Sequence, residues 1–135
     1  MSCRVWYPYQ SGSVDDAVLK SVDEVKGEEF IYLTTKGRKT GRSHKVELWF
    51  GFSDGRLYLS HEGEHTDWIR NLERRPRVDL EVGGAVFEGE ARVASGDARE
   101  AGKKALYVKY YGPASKEVID DWFDLSTVVE ITLTP

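Results

Sequence analysis

A single cysteine, Cys3, excludes an internal disulfide, and cysteine this scarce suits a reducing compartment. No apolar run approaches the ~18 residues that a membrane-spanning helix needs, and no signal-peptide pattern opens the chain. The expected location is therefore cytoplasmic. There is no internal repeat, low-complexity tract or linker, so one domain over residues 1–135 is expected, with 1–12 as an irregular lead-in. No Ser/His/Asp order suggests a catalytic triad, and Cys3 lies in that lead-in; nothing points to a covalent nucleophile.

What is present is globular: 40% apolar and 12% aromatic residues, enough for one continuous core. The net charge of −4 is unevenly spread. TTKGRKTGRSHK (34–45) holds five Lys/Arg and no acid, which leaves −9 on the rest of the chain. A basic island on an acidic protein argues against general adhesion to nucleic acid or membrane. It suits a compact anionic ligand.

Apolar residues at three- and four-residue spacing predict an amphipathic helix from Ser13 to about Lys26. FIYLTT (30–35) reads as a strand, GRKTG turns the chain, and Val46, Leu48 and Phe50 alternate with Glu47, Trp49 and Gly51 in a second. SDG (53–55) marks a hairpin returning through LYLS (57–60). TDWIRNLERR (66–75) predicts a helix capped by Thr66, with Trp68, Ile69 and Leu72 on one face. RVDLEV (77–82) and VFEGEARVA (86–94) alternate as strands, Asp97 opens a long helix toward Tyr110, a short helix spans about 115–123, and TVVEITLT (127–134) ends the chain as a strand. About six mainly antiparallel strands with helices packed outside predict an α+β fold built on a small barrel.

Three motifs bear on chemistry. HEGEH (61–65) has the letters of a zinc-peptidase helix, but His61 follows a strand pattern and the helix signal starts only at Thr66. The two histidines need not share a face, so no metal site is expected; a set of His44, His61 and His65 ranks last among the readings. GRKTGR (37–42) lacks the Walker spacing and precedes a strand. It is either a solvated basic hairpin or an anion clamp, in which glycines let backbone N–H groups approach, Thr40 offers a hydroxyl and Arg38 forks onto phosphate. Tyr107, Tyr110 and Tyr111 crowd a helix end before Gly112-Pro113, and are either a half-exposed cluster or a ligand wall. Clamp and aromatic wall without a nucleophile read as a cofactor binder.

LTTKGRKTGR, the SDGR hairpin and DWIRNLERRPRVDLEVGG together resemble the deazaflavin (F420)-dependent nitroreductase and F420H2-dependent quinone reductase family. That resemblance covers about residues 30 to 95 and implies a split β-barrel related to flavin-binding oxidases. It implies that Arg38, Lys39, Thr40 and Gly41 hold the phosphate-bearing tail of the deazaflavin, with His44 beside them. By the same resemblance Ser60, His61, Trp68 and Asn71 border the cofactor, while Tyr111, with Tyr107 or Tyr110, lines the substrate side. The implied activity is hydride transfer from reduced F420 to a quinone, nitro compound or activated alkene. FMN is the alternative cofactor, because His44, His61 and Glu62 stand where deazaflavin users often carry an arginine and a Ser-Lys pair. A non-catalytic cofactor carrier is a further alternative. Expected partners are a small-molecule electron acceptor and, as a monomer or homodimer, no nucleic acid; contact with membrane quinones would be peripheral.

Overall fold

The structure is a computed structural model that describes residues 24–62 and 67–134. The irregular lead-in and nearly all of the helix expected over 13–26 lie outside the described residues, as do Gly63, Glu64, His65 and Thr66 of the HEGEH stretch. Val25, at the end of that expected helix, packs into the core.

Seven strands and three helices follow in chain order. They are β1 (Ile31–Lys36), β2 (Ser43–Leu48), β3 (Phe50–Ser53), β4 (Arg56–Glu62), α1 (Asp67–Arg74), β5 (Arg77–Val82), β6 (Ala85–Val93), α2 (Gly96–Tyr111), α3 (Lys116–Trp122) and β7 (Ser126–Leu133). All strands join one antiparallel sheet in the order β2-β1-β5-β6-β7-β4-β3. The fold is an α+β split barrel.

The strand count exceeds the expected six because the run around Val46–Phe50 is two strands, not one. Leu48 pairs with Ile31 at one edge of the sheet, and Phe50 pairs with Leu59 at the other. Trp49 is the single residue between them. A chain can pass from one edge to the other in one residue only if the sheet curls until its edges meet. Trp49 is therefore the corner of the barrel.

Alternation explains the core. Val78, Leu80 and Val82 of β5 point inward while Arg77, Asp79 and Glu81 face solvent, and Ile31, Leu33 and Thr35 of β1 do the same. Fully buried side chains such as Leu33, Leu59, Leu80 and Ile131 fill the interior, each contributing roughly 1.5–3 kcal/mol by leaving water. Helix α1 packs against β1 and β6, with Trp68, Ile69, Asn71 and Leu72 on its buried face.

A second cluster lies outside the barrel, where α2 and α3 cover Tyr58 of β4 and Val128 of β7. Tyr58 donates to the buried Glu130 at 3.1 Å, and Arg92 neutralises that carboxylate at 2.7 Å. Helix α2 lies unusually close to the sheet. A Cβ on Gly102 would come within 2.7 Å of Tyr58 and Val128, and one on Gly51 within 3.0 Å of the α2 backbone. Gly102 needs glycine for contact distance alone, and a side chain at Gly51 would require the helix backbone to give by a few tenths of an ångström.

Candidate active site

The turn after β1 is built by its own backbone. Gly37 N donates to Arg42 O at 2.7 Å and Gly41 N to Gly37 O at 2.9 Å, while Arg42 N donates to the Thr40 hydroxyl at 3.2 Å. Gly41 takes φ +76°, in the left-handed region that side chains resist. Thr40 thus braces the turn as an acceptor and keeps its own proton to donate.

Asn71 fixes Arg38. Its buried Oδ1 accepts from Arg38 N at 3.1 Å and from Arg38 Nη1 at 2.9 Å, and Arg38 Nη2 lies 3.5 Å from the exposed Asp67 carboxylate. The guanidinium therefore comes pre-aimed rather than waving in solvent. Lys39 and Arg42 are exposed, and neither side chain has an ion-pair partner among the described residues. Together these residues line a cleft of about 680 Å³ with His44, Lys45, Val46 and Trp68, in which Asp67 is the lone acid among the described residues. Cations gathered in a concave site on an otherwise acidic protein focus anions there.

The strand β4 separates two faces. His61 meets Trp68 edge-on at 6.1 Å, on the side of the basic cleft. Ser60 and Glu62 face the other way, into a second cleft of about 450 Å³ whose lining includes Trp49 and Trp122. His61 and Glu62 are the last residues of β4, so the first histidine of HEGEH stands on a strand and not on a helix.

The three tyrosines part company. Tyr110 stacks flat on Trp49, with centroids 4.0 Å apart and rings at 10°. Its hydroxyl accepts from Phe50 N at 3.0 Å and donates to Glu29 O at 2.7 Å, with Phe50 O also in reach at 3.1 Å. Burial pushes this phenol's pKa up. Tyr110 clamps α2 to the barrel corner, and its hydroxyl is spent on backbone. Tyr111 is half exposed and sits among Trp49 (5.9 Å), Tyr107 (5.1 Å) and Trp122 (5.0 Å). Tyr107 is part-buried between the outer cluster and Trp122. Behind them, the Lys109 amine lies 3.3 Å from the centre of the Phe50 ring without a hydrogen-bond partner among the described residues, and burial lowers its pKa to about 8.

The structure thus brings Arg38, Lys39, Thr40, His44, Trp68 and Asn71 to one cleft, beside Gly41 of the same turn, and places Ser60 with the aromatic wall. Trp49 and Trp122 join that wall without having been singled out. A tryptophan within a strand pattern, flanked by Leu48 and Phe50, was the available signal for the first; Trp122 ends a short helix and offered none.

The basic cleft fits the anionic tail of a deazaflavin: unpaired cations, a pre-aimed guanidinium and a glycine turn line its wall. Residues 10–116 match the family described as F420H(2)-dependent quinone reductase. An F420-H2-dependent reductase, FDR-A, is similar at 27% identity and a TM-score of 0.61, over 76% of this chain and 93% of that one. The conserved hypothetical protein Rv2991 from Mycobacterium tuberculosis shares the fold at 23% identity and a TM-score of 0.72, over 93% of this chain and 85% of that one. So does a FAD-binding protein from Mesorhizobium loti, at 16% identity and a TM-score of 0.64, over 87% of this chain and 88% of that one. The chain belongs to the F420H(2)-dependent quinone reductase family and is an F420-dependent oxidoreductase.

Proposed function

We propose that this oxidoreductase passes a hydride to a quinone, nitro compound or activated alkene held against the aromatic wall. The observation that carries this reading is the placement of two clefts on either side of the Trp49 corner, one basic and one aromatic. When bound, reduced F420 supplies the hydride. Arg38, Lys39 and Thr40 take the phosphate of its tail, with Gly41 allowing close approach and His44 beside them. Asn71 acts through Arg38, and Trp68 with His61 shapes the wall between tail and ring.

On the acceptor side, the half-exposed Tyr111 hydroxyl donates a proton or hydrogen bond as negative charge develops on an acceptor oxygen, with Tyr107 next to it. Tyr110 positions that end of α2 and does not touch the acceptor. The aromatic wall excludes water and orients a flat ring. No described helix is long and apolar enough to cross a membrane.

Oxidation of reduced F420 followed by absorbance, with neutral naphthoquinone as acceptor, tests this directly. Turnover in that assay, with tighter binding of F420 than of FMN in titration, is the expected result. Binding without turnover for any quinone or nitro acceptor would make the protein a carrier.

A further inference from the structure

The aromatic cleft carries a charge opposite to that of the cofactor cleft. Its lining holds the indoles of Trp49 and Trp122 and the carboxylates of Glu62, Asp121 and Asp124, and no Lys or Arg among the described residues. All three carboxylates are exposed, and none has an ion-pair partner among the described residues. Behind this wall the Arg99 guanidinium donates to Ser126 O at 2.8 Å and Phe123 O at 2.9 Å; its charge offsets one of the three carboxylates and leaves the cleft negative. Those bonds hold the segment that presents Asp124 and Leu125, so the rim is a fixed one. Trp122 is 55% exposed and Leu125 73%, a large apolar surface to leave in water on a small domain. Aromatic faces are electron-rich, and with unpaired acids around them they attract a delocalised cation and repel an anion.

Resting on the hydride-transfer reading, we infer that the preferred acceptor is planar, aromatic and positively charged, of the N-alkylated heteroaromatic class. The chemistry balances without a proton donor. A hydride, carrying two electrons, leaves reduced F420 and forms a C–H bond on a ring carbon of the cation, which becomes neutral. The second hydrogen of reduced F420 leaves as a proton to solvent, and the oxidised deazaflavin remains. Opposite signs on the two clefts also sort the ligands: the anionic tail is repelled from the acceptor cleft, and the cation from the basic one. Once neutral, the product loses its attraction to the rim and departs.

N-methylacridinium and uncharged acridine share ring and shape and differ in charge. Their binding to the cofactor-free protein is read by quenching of tryptophan fluorescence, and their turnover, beside that of neutral naphthoquinone, by oxidation of reduced F420. The cation is expected to bind at least tenfold more tightly than acridine at low salt, with the preference fading as salt is added. Each carboxylate contributes roughly threefold. The triple variant Glu62→Gln/Asp121→Asn/Asp124→Asn should therefore lower the cation-to-neutral ratio, in both Kd and kcat/KM, on the order of thirtyfold. Equal affinity for cation and acridine, or an unchanged ratio in a triple variant of wild-type melting temperature, would overturn the inference. Turnover of naphthoquinone alongside that result would leave the hydride-transfer reading standing. Cation-selective binding with no turnover of any acceptor would do the reverse, upholding the cleft's selectivity and removing the reaction.

Discussion

Replacing Tyr110 by phenylalanine isolates one hydroxyl. The ring, and its stack on Trp49 at 4.0 Å, remain. What goes is the acceptor for Phe50 N at 3.0 Å and the donor to Glu29 O at 2.7 Å. Phe50 is 1% exposed, so water does not readily replace the lost partner. An orphaned buried N–H costs about 1–3 kcal/mol. For 135 residues the unfolding entropy is roughly 0.28 kcal/mol per kelvin, so a loss of ~2 kcal/mol lowers Tm by about 7 °C. Turnover per folded molecule should hold, because the hydroxyl faces backbone and not the acceptor. Tyr111→Phe should show the opposite pattern: unchanged Tm and cofactor affinity, with turnover of a neutral quinone roughly ten- to hundredfold lower. Thermal unfolding followed by circular dichroism, paired with single-turnover oxidation of bound reduced F420, reads both variants. A Tyr110→Phe protein of wild-type Tm and reduced turnover would refute the clamp and return Tyr110 to the acceptor side.

Other consequences are simpler to test. Arg38→Ala and Lys39→Ala should each weaken F420 binding by roughly 1.5–3 kcal/mol where the contact is desolvated, without unfolding the protein; titration at low and high salt checks this, and unchanged affinity in the double variant would reduce the turn to a solvated hairpin. Thr35 is fully buried and its hydroxyl has no hydrogen-bond partner among the described residues, so Thr35→Val should stabilise the protein by about 1 kcal/mol in urea unfolding. Lys109, with its pKa lowered to about 8 from 10.5, binds its proton less tightly folded than unfolded. Stability should therefore rise with pH between those two values and lack this contribution below the lower one. Lys109→Met should stabilise on the order of 1 kcal/mol near neutral pH, the gain shrinking as pH approaches 10.5; a gain that grows with pH would contradict it.

Local pattern sufficed wherever the cause is local. The alternation of RVDLEV, the buried face of DWIRNLER and the turn at GRKTG all appear where their residues place them. The break at Trp49 was hidden because Val46, Leu48 and Phe50 keep one phase across it; only pairing with two distant strands, β1 and β4, reveals two strands. Tyr110 and Tyr111 are neighbours in the sequence, yet about 100° of helical rotation sends one hydroxyl onto backbone and leaves the other half exposed. The hold of Asn71 on Arg38 depends on α1 lying beside the turn, which no local pattern encodes.

The close seating of α2 bears on how new acceptors could be acquired. With Gly102 against Tyr58 and Gly51 against the helix backbone, the helix has no room to slide or to accept bulk beneath it. Change is thereby directed to the outer tips, where Trp122 and Leu125 are exposed and can be exchanged at little cost to stability. A library confined to those two positions would test the proposed acceptor range on an unmoving frame, whereas any side chain at residue 102 would have to displace Tyr58 or Val128.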